Sequence, residues 1–197
     1  MKRRVFVAIG ISSQLKEEIA AWQKEWNHLS VRWIKPENLH VTLIPPWYVG
    51  KIDELINLLK SCKNIVEPFT ITFREVMFGP SPKKPRLIWA SGDVVPEIIA
   101  LKSKLEEALS PRHHVRRGQT WLAQKREKRP FLTHLTIARF KEKDFTKFPA
   151  KTLPRTMSVR GLHDKIFWKE KVHSFLLMES HLRRSGAEYE TLYSLNF

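Results

Sequence analysis

The sequence predicts an α+β fold: two pseudo-symmetric lobes of antiparallel β-sheet, with helices on their outer faces, around a central cleft. Three observations carry this. Short apolar runs rich in β-branched residues recur between turn residues. Three longer segments repeat apolar residues at helical spacing. The order strand, helix, strand occurs twice, each time ending on a strand that carries His-x-Thr, a weak repeat of architecture rather than of sequence. With 197 residues, 42% of them hydrophobic, the chain is long enough to bury a core and suits one two-lobed domain over residues 1–197.

The elements follow in order. Val5–Ile9 is a β-branched apolar run and reads as a strand. Ser12 and Ser13 offer a helix cap, and Leu15, Ile19, Trp22 and Trp26 mark one helical face. "SVRWI" and "LHVTLI" read as two short strands, the second stopped by Pro45–Pro46. Side chains alternate along a strand, so Leu39, Val41 and Leu43 share one side while His40 and Thr42 share the other. A second helix presents Ile52, Leu55, Ile56, Leu59 and Cys62 inward. Phe69–Phe78 is a long strand, "GPSPKKP" a turn, and Arg86–Gly92 a further strand. A third helix over about Pro96–Leu109 starts with proline in its first turn, where the missing N–H costs nothing.

The second His-x-Thr lies in "FLTHLTI", Phe131–Ile137. Between it and the third helix stands an insertion, Pro111–Pro130, with Arg112, Arg116, Arg117, Lys125, Arg126, Lys128 and Arg129 against the single acid Glu127. It reads as an exposed basic loop with one aromatic, Trp121. Strands are expected at about Thr156–Leu162, Val172–Leu182 and Tyr189–Phe197, the last two joined by the turn "RRSGAEY".

Thirty-five Lys and Arg against 20 Asp and Glu leave a formal charge of +15, which favours a polyanionic partner. Cys62 is the lone cysteine, so an intrachain disulfide and a cysteine-based zinc site are excluded and a reducing cytoplasm is expected. No apolar run reaches the ~20 residues of a membrane-spanning helix, and no membrane partner is expected. His28, His163, His173 and His181 have no metal-ligand spacing, and neither metal nor cofactor is expected.

Two His-x-Thr strands facing each other across a cleft would put His40 and His134 on either side of a common space, with Thr42 and Thr136 beside them. Histidine titrates near neutrality, so one imidazole can give a proton while the other takes one. Threonine hydroxyls can hold non-bridging phosphate oxygens. A cyclic phosphodiester, with its built-in leaving group, fits such a pair. "NLHVTL", "FLTHLTIARF", the opening "RVFVAIGIS" and the ending "LMESHLRRSGAEYETLYSLNF" together resemble the two-histidine phosphoesterase superfamily, and within it the LigT-like RNA 2′,3′-cyclic phosphodiesterases. The likeness covers essentially the whole chain. It departs from the family pattern at Thr133, where proline is usual, and at "IPPWYVG" after the first motif.

That resemblance implies a metal-free hydrolase that opens 2′,3′-cyclic phosphate at RNA ends, tRNA-like or otherwise single-stranded, to a 2′-phosphomonoester, with reversible 2′–5′ ligation in some members. It implies His40 as proton donor, His134 as proton acceptor, and Thr42 and Thr136 on the phosphate. Arg139 is a candidate phosphate ligand, although a regular strand would face it away from Thr136. Trp121, amid basic residues, is a candidate base platform, with Arg126, Lys128 and Arg129 on the RNA backbone. Trp47 and Tyr48 are weaker stacking candidates. The expected assembly is a monomer. The alternatives are the same chemistry on a small cyclic nucleotide, and a non-catalytic binder of RNA ends.

Overall fold

The computed structural model describes residues 2–81, 84–110, 130–141, 163–184 and 186–197. Nine strands and three helices follow in the order β1 (Arg3–Gly10), α1 (Ser13–Glu25), β2 (Arg32–Trp33), β3 (His40–Val49), α2 (Ile52–Lys60), β4 (Phe69–Gly79), β5 (Leu87–Gly92), α3 (Pro96–Ala108), β6 (His134–Arg139), β7 (His163–Val172), β8 (Ser174–Arg183) and β9 (Gly186–Asn196). The α+β class is as the sequence predicts.

The lobes share one antiparallel sheet of order β7-β4-β5-β6-β3-β1-β8-β9, with β2 paired to β6. Leaving β2 aside, four strands lie on each side of the β3–β6 seam, which is narrow: Val41↔Leu135 is its one ladder pair. All three helices pack on the face opposite the seam's histidines. There Ile19, Leu55, Leu101, Phe73, Leu43 and Ile137 join one continuous core drawn from both halves. Helices α1 and α3 cross over, α1 touching β7 and α3 touching β3. Ser12 caps α1, its hydroxyl accepting from the Leu15 N–H at 3.4 Å while its own N–H and hydroxyl donate to Glu170 at 3.0 and 2.9 Å.

Three expectations are corrected. Strand β3 does not stop at Pro45–Pro46 but runs to Val49. The ladder with β1 steps from Val7↔Ile44 to Val5↔Trp47, leaving both prolines opposite Phe6. Two residues against one is a bulge, where a missing N–H breaks no ladder bond. A strand that the sequence pattern does not mark runs over His163–Val172, pairing with β4 over most of its length. Its alternation of Asp164, Ile166, Trp168, Glu170 and Val172 with lysines hides acids among the inward positions, which masks the pattern. As a result β8 begins at Ser174, not at 172. The expected strand at 156–162 and the basic insertion at 111–129 lie outside the described residues.

Candidate active site

At the seam the two motifs are near copies. Val41 and Leu135 face the core fully buried. Carried one residue each way, their register sets His40 opposite Thr136 and Thr42 opposite His134. All four side chains therefore share the face away from the core, half-buried. Each motif is followed by a bulge at the same place. On β3, Ala8 pairs with Thr42 and Val7 with Ile44, leaving Leu43 extra. On β6, Trp89 pairs with Thr136 and Ile88 with Ala138, leaving Ile137 extra.

The second bulge corrects the reading of Arg139. Beyond the extra residue the alternation is reversed, so Ala138 is buried and Arg139 is exposed on the side of His134 and Thr136. The β5 partners agree: Leu87, Trp89 and Ser91, alternate residues of an unbroken strand, pair with Arg139, Thr136 and His134. The bulge's trace in sequence is the pair of adjacent apolar residues after each threonine, Leu43–Ile44 and Ile137–Ala138.

Both imidazoles are held the same way. His40 Nδ1–H donates to the Asn38 carbonyl at 2.7 Å, and His134 Nδ1–H donates to the Leu132 carbonyl at 2.9 Å. A carbonyl only accepts, so each ring carries its proton on Nδ1 and leaves Nε2 for chemistry. The surroundings differ. His40 touches Phe6 and Tyr189, each with ring centroids 5.0 Å away. His134 touches Trp89 alone of the described aromatics, at 4.8 Å. Burial pushes the His40 imidazole from its ordinary 6.5 down to about 4; the Asn38 carbonyl pulls back, and positive charge at Arg139 and His134 adds to the fall. That electrostatic coupling puts Arg139 and both histidines in one field.

Sequence reasoning missed Asn38, Phe6, Tyr189 and Trp89. Asn38 does two jobs: its carbonyl orients His40, while its side chain accepts from the Tyr189 N–H at 3.2 Å and donates to the Ala187 carbonyl at 3.3 Å. It thereby ties β9 over His40. Its one visible trace is its position two residues before the histidine, shared with Leu132. Of the weaker stacking candidates, Trp47 lies in the core at 6% exposure and Tyr48 is exposed at 63%. Trp121, Arg126, Lys128 and Arg129 fall outside the described residues. His181 is not isolated: across the β8–β9 hairpin it meets Glu179 and Glu190, with ligand-type atoms within 4.8 Å of one another. Arg3 also donates to Glu179, Nε at 2.9 Å, so that group has a cation of its own.

A sequence model of the 2′-5′ RNA ligase superfamily matches residues 11–164. The chain belongs to this superfamily. A curated member, the RNA 2′,3′-cyclic phosphodiesterase of Archaeoglobus fulgidus, is 28% identical over 194 residues, covering 96% of this chain and 97% of that protein. The protein of the same name from Methanocaldococcus jannaschii is 28% identical over 192 residues, covering 96% and 98%. Among solved structures, the TT0787 protein of Thermus thermophilus superposes with a TM-score of 0.71 at 20% identity over 98% of this chain and 97% of that one. E. coli LigT, crystallised with 3′-AMP, gives 0.69 at 23% identity over 100% and 99%. Both share this chain's fold, a curled antiparallel sheet backed by helices. No helix among the described residues is long and apolar enough to cross a membrane.

Proposed function

We propose that this protein hydrolyses terminal RNA 2′,3′-cyclic phosphate to a 2′-phosphomonoester, with His40 and His134 as the acid and base. The observation that carries this reading is the matched pair of imidazoles at the seam, each with Nδ1 committed to the carbonyl two residues back and Nε2 left over. The names of the A. fulgidus and M. jannaschii relatives support the substrate.

In the proposed step a water oxygen attacks phosphorus as His134 Nε2 takes its proton. The bond from phosphorus to O3′ breaks, and His40 Nε2–H gives its proton to that oxygen. Thr42 and Thr136 donate to the non-bridging oxygens, and Arg139, turned inward by its bulge, balances their charge. In the free site His40 is neutral at pH 7, since its pKa is about 4. The proton it donates is therefore taken up with the phosphate anion, whose charge offsets desolvation of the imidazolium. No step calls for a metal. Trp121, Arg126, Lys128 and Arg129 serve as RNA contacts in this proposal, on the strength of their composition alone. Reversible 2′–5′ ligation would reuse the same pair, with the 5′-hydroxyl of a second RNA end in place of water.

The test is an RNA ending in 2′,3′-cyclic phosphate, incubated with the protein in EDTA. A 2′-phosphate product is expected, and none from His40→Ala or His134→Ala. A 3′-phosphate would overturn the bond assignment, loss of turnover in EDTA the metal-free step, and turnover by either variant that residue's role. Tight binding without turnover would leave a non-catalytic binder of RNA ends.

A further inference from the structure

The face that carries the histidines continues across the β6-β5-β4-β7 half of the sheet. Ser91 pairs with His134, Glu75 with Ser91, and Lys165 with Glu75, so Lys165 stands on the same face three strands away. Lys169 and Lys171 follow at alternate positions, opposite Thr72 and Thr70, while Trp168 and Val172 between and beyond them are buried. Phe167 projects with them: its ring is 63% exposed and carries the Lys169 ammonium 4.9 Å from its centroid. The result is a stripe of three lysines and one open aromatic along β7, the end strand of the sheet order.

Lysines on a terminal strand also discourage edge-to-edge pairing. That purpose needs charge alone, and an exposed phenylalanine works against it. Cations at strand spacing, about 6.7 Å between alternate residues, together with a flat apolar ring, match a chain that repeats one anion and one aromatic base per unit. Strand spacing puts the stripe about 14 Å from β6, beyond a single nucleotide held at the histidines. Lys171 leads back toward them: it lines a cavity of about 290 Å³ together with Gly10, the pairing partner of His40, and Met178, which packs on Phe6.

We propose that the open face of β7 is the track for single-stranded RNA upstream of the reacting end, with Lys165, Lys169 and Lys171 on phosphates and Phe167 stacked on a base. This rests on the cyclic phosphodiesterase reading and adds where the rest of the substrate lies. Turnover of an RNA of about ten nucleotides ending in 2′,3′-cyclic phosphate is compared with that of cytidine 2′,3′-cyclic phosphate across a salt series. Lys165→Gln/Lys169→Gln is expected to lower kcat/KM for the oligomer about tenfold, through KM, and to reduce the salt slope by about one to one and a half. Phe167→Ala is expected to cost about tenfold on the oligomer with the salt slope intact. The mononucleotide is expected to be turned over as by wild type. An unchanged oligomer KM, or equal losses on both substrates, overturns the track. If the wild type turns over neither, the phosphodiesterase reading fails, and anisotropy with the same RNA still decides: binding lost in the lysine variant upholds the track, binding retained removes it.

Discussion

Two side chains near the seam, His40 and Thr133, have consequences that can be measured. His40 titrates near 6.5 when unfolded and at about 4 when folded. Between those values the unfolded chain binds a proton that the folded one does not. Stability is therefore full above pH 6.5 and lost as pH falls toward 4, by about 3 kcal/mol at most. Denaturant midpoints over that window are expected to fall in wild type and to flatten in His40→Gln; parallel curves would refute it. Thr133, beside His134, is 1% exposed and its hydroxyl has no partner among the described residues. A buried orphan hydroxyl costs about 1–3 kcal/mol, so Thr133→Val, of the same shape, is expected to stabilise the fold by about 1 kcal/mol. A lower midpoint would mean that the hydroxyl is satisfied after all. The histidine pair itself was legible because His-x-Thr is a local pattern that alternation alone places on one face. The ring partners Phe6, Tyr189 and Trp89 were not, because they reach the site through folding, which leaves no spacing to read; Asn38 leaves only its place two residues before His40.

At the level of elements, the β4–β5 hairpin holds His134 in place. Trp89 lies between the His134 ring and the backbone of Gly79. A Cβ on Gly79 would come 2.5 Å from the indole, closer than carbon atoms tolerate, so glycine is required there by contact rather than by dihedral freedom. Gly79→Ala is expected to push the indole onto His134 and lower kcat at least tenfold with little change in KM. Trp89→Phe, with a smaller ring, is expected to retain most activity and to restore Gly79→Ala when the two are combined. Failure of that rescue would show that the alanine acts elsewhere. The bulges after the motifs also belong to this scale. Strict period-two alternation turns Arg139 away from His134 and Thr136, and one inserted residue, Ile137, turns it back. A bulge is a property of two strands in register, so a single strand's sequence carries only its trace, two apolar residues in a row. Pro45–Pro46 misled for the same reason: proline ends a regular ladder but is accepted opposite Phe6, where the ladder is already broken.

Across the whole molecule the two halves were legible as a repeated order of elements, whereas their mutual support was not. The sheet alone joins them weakly, through one ladder pair at the seam. What holds them is the crossing of helices between halves. Trp22 on α1 packs edge-on against Trp168 of β7, with centroids 6.4 Å apart, and its indole N–H donates to Asp164 at 2.6 Å. Trp26 and Trp33 close the same cluster at 5.5 and 6.1 Å. No sequence period links residue 22 to residue 168, and the strand that carries Trp168 was itself hidden by its buried Glu170. Because buried residues of both halves form one core, unfolding is expected to be a single transition, with far-ultraviolet dichroism and tryptophan fluorescence coinciding. Trp22→Phe removes a hydrogen bond to a carboxylate, and is expected to lower stability by about 2 kcal/mol. The decisive feature is how that loss is distributed. If the halves stand or fall together, the whole transition moves to lower denaturant and stays sharp. If each half were a domain of its own, the substitution would split the curve in two, and the seam would be only a hinge between independent lobes.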